Sequence, residues 1–186
     1  MCSDRRAQGF TLIEAMIVVV LVGVISAIAV VGLQHWIRYS HLGEAQTIVA
    51  NIRMAEESYY SENGAYLCVS DGLGPGHTYP SQHPGAFKTA WGGPCGWCRN
   101  TTTNQWIGLG VNPTAPVMFG YAVIAAPETP PASELVNGKT LDLSNLAANG
   151  QPWYLVEATA NYNGDGVTLT QVYGMSGDNE IYVNNE

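Results

Sequence analysis

Two hydrophobic patterns lie end to end at the start of the chain. From Ala15 to Leu33 there is no charged residue, Pro, Asn or Gln. At ~1.5 Å rise per helical residue this run spans about 28 Å, close to the hydrocarbon thickness of a bilayer. From Gln34 to Asn63 the apolar positions narrow to one stripe, in which Leu42, Ala45, Ile48, Val49, Ile52, Ala55 and Tyr59 recur every three or four residues. Arg38, Glu44, Arg53, Glu57 and Glu62 fall mainly outside that stripe. No Pro interrupts either stretch, and Gly64 is a natural stop. The spacing predicts one helix of about 53 residues, about 80 Å long. Its first half is apolar all round, and its second half packs one face on a core.

After Gly64 the pattern turns to short strands. Val117 to Ala126, with Met118, Tyr121, Val123 and Ile124, is the first, ended by Pro127, Pro130 and Pro131. Trp153 to Ala160 and Val167 to Gly174 follow, joined by Asn163-Gly164-Asp165-Gly166, a strong hairpin signal. Ile181 to Val183 makes a short last strand, and Leu141, Leu143 and Leu146 a short packed segment within 128–150. The expected fold is α+β: a long N-terminal helix whose second half packs against an antiparallel sheet of about four strands. The 186 residues suffice for one domain with a real core. The 21 Gly and 10 Pro concentrate after residue 64, and 65–115 is loop-rich. There is no internal repeat. A net charge of −8, with seven Lys plus Arg, argues against strong nonspecific nucleic-acid binding.

Glu14 stands at the entrance of the apolar run. An ionised side chain costs on the order of 2.5 kcal/mol or more at bilayer depth, so this carboxylate needs a partner. Arg5 and Arg6 precede the run and only Arg38 follows it closely, which orients the N-terminus to the cytoplasm. A secretory signal would end at Ala27-Ile28-Ala29, but the apolar run carries on through Leu33. A plain signal anchor gives no reason for Glu14.

Gly9-Phe10-Thr11-Leu12-Ile13-Glu14, behind a short basic leader and ahead of an apolar helix, resembles the type IV pilins and their pseudopilin relatives. The stretch Glu57-Ser58-Tyr59-Tyr60-Ser61-Glu62-Asn63-Gly64-Ala65-Tyr66 is similar to the helix end of many pilins, and Gly177-Asp178-Asn179-Glu180-Ile181-Tyr182 to the tail of some. The resemblance implies a leader at 1–9, cleaved by a prepilin peptidase between Gly9 and Phe10, and an N-methylated Phe10. It also implies a transmembrane and filament-core half at 10–33, an amphipathic half at 34–64 and a globular domain at 65–186. Glu14 would neutralise the Phe10 amine of a neighbouring subunit, two costly groups stabilising each other in an apolar bundle. The implied partners are other copies and other pilins in a helical filament, the peptidase and an inner-membrane assembly platform. The implied location is the inner membrane, with the C-terminal domain periplasmic, and then an extracellular pilus or a periplasmic pseudopilus. Many pilins carry a Pro two-thirds along this helix; Val30-Val31-Gly32 stand there instead. A pseudopilin of a type II secretion system is the alternative, and such proteins often bind calcium in the C-terminal part.

Candidate chemistry is sparse. Cys2 precedes the membrane run, whereas Cys68, Cys95 and Cys98 follow it, where disulfides persist. Gly93-Pro94-Cys95-Gly96-Trp97-Cys98 admits several readings. The first is a disulfide from Cys68 to Cys95 or Cys98 that pins the loop. The second is a zinc site with His77 or His83, at a spacing that matches no common finger. The third is a thiol oxidoreductase pair, Cys95 and Cys98, although no βαβ unit surrounds it. Arg99 stands where a c-type haem would need His. Asn161, Asn163 and Asp165 resemble half of a calcium loop, but Val172 stands where the bidentate acid belongs, so a turn is the simpler account. Glu134, Asp142, Glu157 and Asp165 show no paired-carboxylate spacing. No catalytic constellation, metal site or cofactor is expected.

Overall fold

The computed structural model describes residues 11–92, 105–126, 133–136, 139–142, 150–161 and 169–185. Helix α1 (Leu12–Asn63) runs without a break. Thr11 caps its start: the Thr11 hydroxyl accepts the Glu14 amide at 3.3 Å and the Thr11 carbonyl accepts the Ala15 amide at 3.2 Å. Gly64, at φ 72°, ends the helix, and its amide donates to the Tyr60 carbonyl at 2.8 Å. A side chain there would be strained, so glycine is the fitting residue.

The chain divides into two compact units, Met1–His41 and Leu42–Glu186. In the first, the apolar segment Leu12–Val30 is 19 residues long with mean hydropathy 2.8, and none of it is buried. In the second, α1 packs on a four-stranded antiparallel sheet. Its strands are β1 (Gly120–Ala125), β4 (Tyr154–Ala160), β5 (Thr170–Met175) and β6 (Tyr182–Asn185), in the order β1-β4-β5-β6. Strands β2 (Ser133–Val136) and β3 (Lys139–Asp142) form a separate hairpin, and α2 (Gln105–Leu109) is a short helix.

The sheet is covered on both faces, which is why β1 and β4 are buried at every position rather than at alternate ones. On one face Ala45, Val49 and Ile52 of α1 join the core. Gly174 of β5 admits the helix: a Cβ there would lie 2.9 Å from Val49 Cγ1 and 2.8 Å from Arg53 Cδ. On the other face lies the segment 72–84. The Gly74 amide donates to Glu157 Oε2 at 2.5 Å, and Pro84 accepts from the Asn161 amide at 3.1 Å. Gly120 is pressed against Thr78 and Ser81. Along β1, the Val69 and Ser70 amides donate to the Val123 carbonyl, Tyr79 exchanges two hydrogen bonds with Tyr121, and Thr89 does the same with Val117. Rings of Tyr79, Trp91, Trp106 and Tyr121 pack together, with centroids 5.0 Å apart for Tyr79–Trp91 and 5.2 Å for Trp91–Trp106.

Several expectations change. The first strand begins at Gly120 rather than Val117, because Val117 makes only an isolated bridge to Thr89. Within the loop-rich stretch 65–115 there is one short helix, α2, which buries Trp106 and Leu109. Leu141 belongs to a hairpin strand, and Leu143 and Leu146 lie outside the described residues. The 163–166 turn lies outside them too, although β4 and β5 do pair as expected. The disulfide is not seen: there is none among the described residues, and Cys95 and Cys98 fall outside them.

Gly120→Ala should destabilise the protein. The added methyl would sit 2.6 Å from Thr78 Oγ1 and 2.9 Å from the Ser81 carbonyl, and the latter, as backbone, cannot step aside alone. Overpacking of this kind costs about 1–3 kcal/mol. The midpoint of thermal unfolding, followed by circular dichroism, should fall by about 2–4 °C for each kcal/mol. Gly108→Ala, with nothing within 4 Å and inside a helix that glycine weakens, should not lower it.

Candidate assembly site at the start of the first helix

Glu14 lies in the first turn of α1, exposed, at the head of the apolar segment. A carboxylate is favourable at a helix N-terminus, where unpaired amides carry about half a positive charge. Beyond that local complement, all large side chains around it, including Leu12, Ile13, Met16 and Ile17, are exposed and apolar. The turn thus offers one anionic group on a surface that must be covered by something apolar. Gly9 and Phe10 lie outside the described residues.

The other residues singled out from the sequence do not converge. Cys68 is buried, with its Sγ 3.3 Å from the Ser70 carbonyl. His77 Nδ1 is 2.7 Å from Asp71 Oδ1 on the surface, and His83 is exposed. Asn161 is buried beside Pro84, while Asn163 and Asp165 lie outside the described residues. Asp178 does not turn toward a cation: its Oδ1 accepts the Glu180 amide at 2.9 Å and its Oδ2 the Tyr182 hydroxyl at 2.6 Å. These bonds, Tyr182 first, hold the Asp178 carboxyl below its usual range, and the same contact pushes the Tyr182 phenol up to about 12. The carbonyls of Asp178 and Asn179 accept from the Arg53 guanidinium, so a fixed side-chain cation occupies them. Among the described residues no group of three His, Cys, Asp or Glu is placed to hold a metal.

The burial of two carboxyls escaped the sequence reading. Glu157, in the middle of β4, is gripped by the Gly74 amide, Gln171 Nε2 at 3.2 Å and the Tyr173 hydroxyl at 3.3 Å. Glu56 is fully buried; its Oε2 accepts the Leu67 amide at 2.9 Å, and its Oε1 has no partner. The signal for Glu56 was its register, since position 56 continues the row of Val49 and Ile52 on the core face. Burial pushes the Glu56 carboxyl up to about 8, against the Leu67 hydrogen bond, which favours the charged form, and with a small push from Glu57.

Comparison with known proteins bears on the first helix above all. Residues 4–30 match the model of the prokaryotic N-terminal methylation motif. The chain is 27% identical over 115 residues to the fimbrial protein EcpC of Eikenella corrodens, covering 62% of this chain and 75% of that one. It is 36% identical over 71 residues to the type IV major pilin protein PilA of Myxococcus xanthus (strain DK1622), covering 38% of this chain and 32% of that one. No solved structure matches. The matched motif lies at the head of the exposed apolar helix. The motif and the two relatives together make the chain similar to fimbrial and type IV pilin proteins.

Glu56 makes stability depend on pH. Its carboxyl titrates near 4.5 in the unfolded chain and near 8 in the fold. A raised folded value means the stabilisation is complete below pH 4.5, declines between 4.5 and 8, and is gone above 8. The decline should be on the order of a few kcal/mol. Glu56→Gln, which keeps the shape without the charge, should flatten the unfolding midpoint across that window; an unchanged profile would show that Glu56 is not the group responsible.

Proposed function

We propose that the chain is a structural subunit of a type IV pilus, inserted in the inner membrane through α1 and polymerised through the same helix. Prepilin peptidase cuts between Gly9 and Phe10, Phe10 is N-methylated, and Glu14 of one copy neutralises the Phe10 amine of the next. The observation that carries this reading is a lone carboxylate in the first turn of a 19-residue apolar helix with no protein around it, inside the matched motif. An uncovered surface of that kind needs lipid in the precursor and other copies of the helix in the polymer. An inner-membrane assembly platform exchanges one environment for the other.

The globular part stands in the periplasm and then on the fibre, where it serves attachment, motility or uptake rather than catalysis. Cys68, on the side of the membrane where disulfides persist, pairs with Cys95 or Cys98. The two relatives are named as fimbrial and pilin proteins, which favours a pilus over a secretion pseudopilus.

Glu14→Ala should leave the protein membrane-inserted and cleaved but cut the yield of sheared fibres by more than about tenfold, the scale of one uncompensated charge in an apolar bundle. Normal fibres from that variant, seen by electron microscopy, would refute the assembly role. Gly9→Trp should leave the leader attached; mass spectrometry that still finds Phe10 as the first residue would place the cut elsewhere.

A further inference from the structure

Between Phe10 and Tyr59 the only Phe, Trp or Tyr residues are Trp36 and Tyr39. Both lie on α1 just past the apolar run, and both are exposed, Trp36 at 68% and Tyr39 at 56%. The run itself is filled by aliphatic and small side chains, and rings stand only beyond its two ends. A bilayer sorts side chains in this way. Hydrocarbon takes the aliphatic ones. The headgroup layer takes Trp and Tyr, whose rings are apolar but whose N–H and O–H need polar partners.

Burial marks the same border. Residues 11–30 are exposed throughout, and Leu42, one of the buried residues of the second unit, stands only three positions past Tyr39. Trp36 and Tyr39 thus fall between a segment that no described residue covers and a segment that enters the protein's own core. Three apart on a helix, the two rings share a face.

Helical rise fixes what lies at the far end. Glu14 and Trp36 are ~33 Å apart along α1. A tilt of about 20° would shorten that span across the membrane to about 31 Å, and the hydrocarbon core is about 30 Å thick. A ring at one boundary therefore puts the carboxylate at the other. We propose that Trp36 and Tyr39 seat in the phospholipid headgroup layer on the periplasmic side of the precursor's membrane and set the depth of α1, holding Glu14 at the opposite headgroup layer. This rests on the reading that α1 spans the inner membrane. The pair keeps a carboxylate that is costly in hydrocarbon at the membrane edge until another copy supplies its partner. With serine at both positions nothing retains the outer end, and the helix slides outward, drawing its first turn into hydrocarbon.

The test uses the whole chain, labelled with fluorotryptophan and methyl-labelled methionine, at one copy per lipid nanodisc of phosphatidylethanolamine and phosphatidylglycerol. Nuclear magnetic resonance then reads broadening by a nitroxide at the lipid headgroup, at the acyl-chain end or in the water. The Trp36 signal is identified by its loss in Trp36→Tyr, and the Met16 signal by its loss in Met16→Leu. Both signals should be broadened most by the headgroup nitroxide. In the double variant Trp36→Ser, Tyr39→Ser, the Met16 broadening should shift toward the chain-end nitroxide. The exchange Trp36→Tyr, Tyr39→Trp should leave it in place. The anchor is overturned by a Trp36 signal reached first by the chain-end or water-soluble nitroxide, or sheltered from all three by protein. It is equally overturned by a Met16 depth that the serine variant does not move. In each of these cases the membrane-spanning reading stands. A Met16 signal that no lipid nitroxide broadens overturns both.

Discussion

A helix with no protein around its first half must borrow its surroundings. The segment Leu12–Val30 exposes valine, leucine and isoleucine on every side, and no described residue covers it. Such a surface is stable in lipid or among like helices and nowhere else. Glu14 then acquires meaning from its place. In water it would be an ordinary first-turn carboxylate; at the head of an apolar bundle it requires a positive group at the same depth. The proposed insertion and polymerisation both answer that one mismatch between a side chain and its medium.

The second half of α1 solves a different problem. Its core face is buried by the sheet, and the sheet in turn is closed from behind by the segment 72–84. Both closures need missing side chains: Gly174 lets the helix approach, and Gly120 lets Thr78 and Ser81 approach. The buried carboxyls serve the same joinery. Glu157 ties Gly74 to β4 and β5, and Glu56 ties Leu67 back to α1. Glu56 accepts one hydrogen bond and leaves its other oxygen orphaned, so burial governs its titration.

Helical register was readable because it is a property of the local sequence. The apolar run, the stripe from Leu42 to Tyr59 and the stop at Gly64 each follow from spacing alone, and α1 ends one residue before that glycine. All four strands of the sheet were legible from β-branched and aromatic runs, within a few residues at each end. The parts that were not legible depend on distant partners. Helix α2 is short and contains Gly108, so only the burial of Trp106 and Leu109 in the aromatic cluster makes it worth forming. Full burial of β4 hides Glu157 in what looks like a half-polar strand, because nothing in its neighbours announces the segment that covers it. Glu14 was legible at once, since a charge at the edge of an apolar run stands out without any tertiary information.

The bonds that run along β1 have a meaning for a chain destined to be crowded. A strand at the border of a sheet ordinarily presents a row of open donors and acceptors, and a neighbour at high local concentration can join it and seed disordered aggregates. Here Val69, Ser70 and Tyr79 already occupy that border, at Val123 and Tyr121. On that side, association is left to helices and side chains, whose geometry is specific, and withheld from the backbone, whose pairing is indiscriminate.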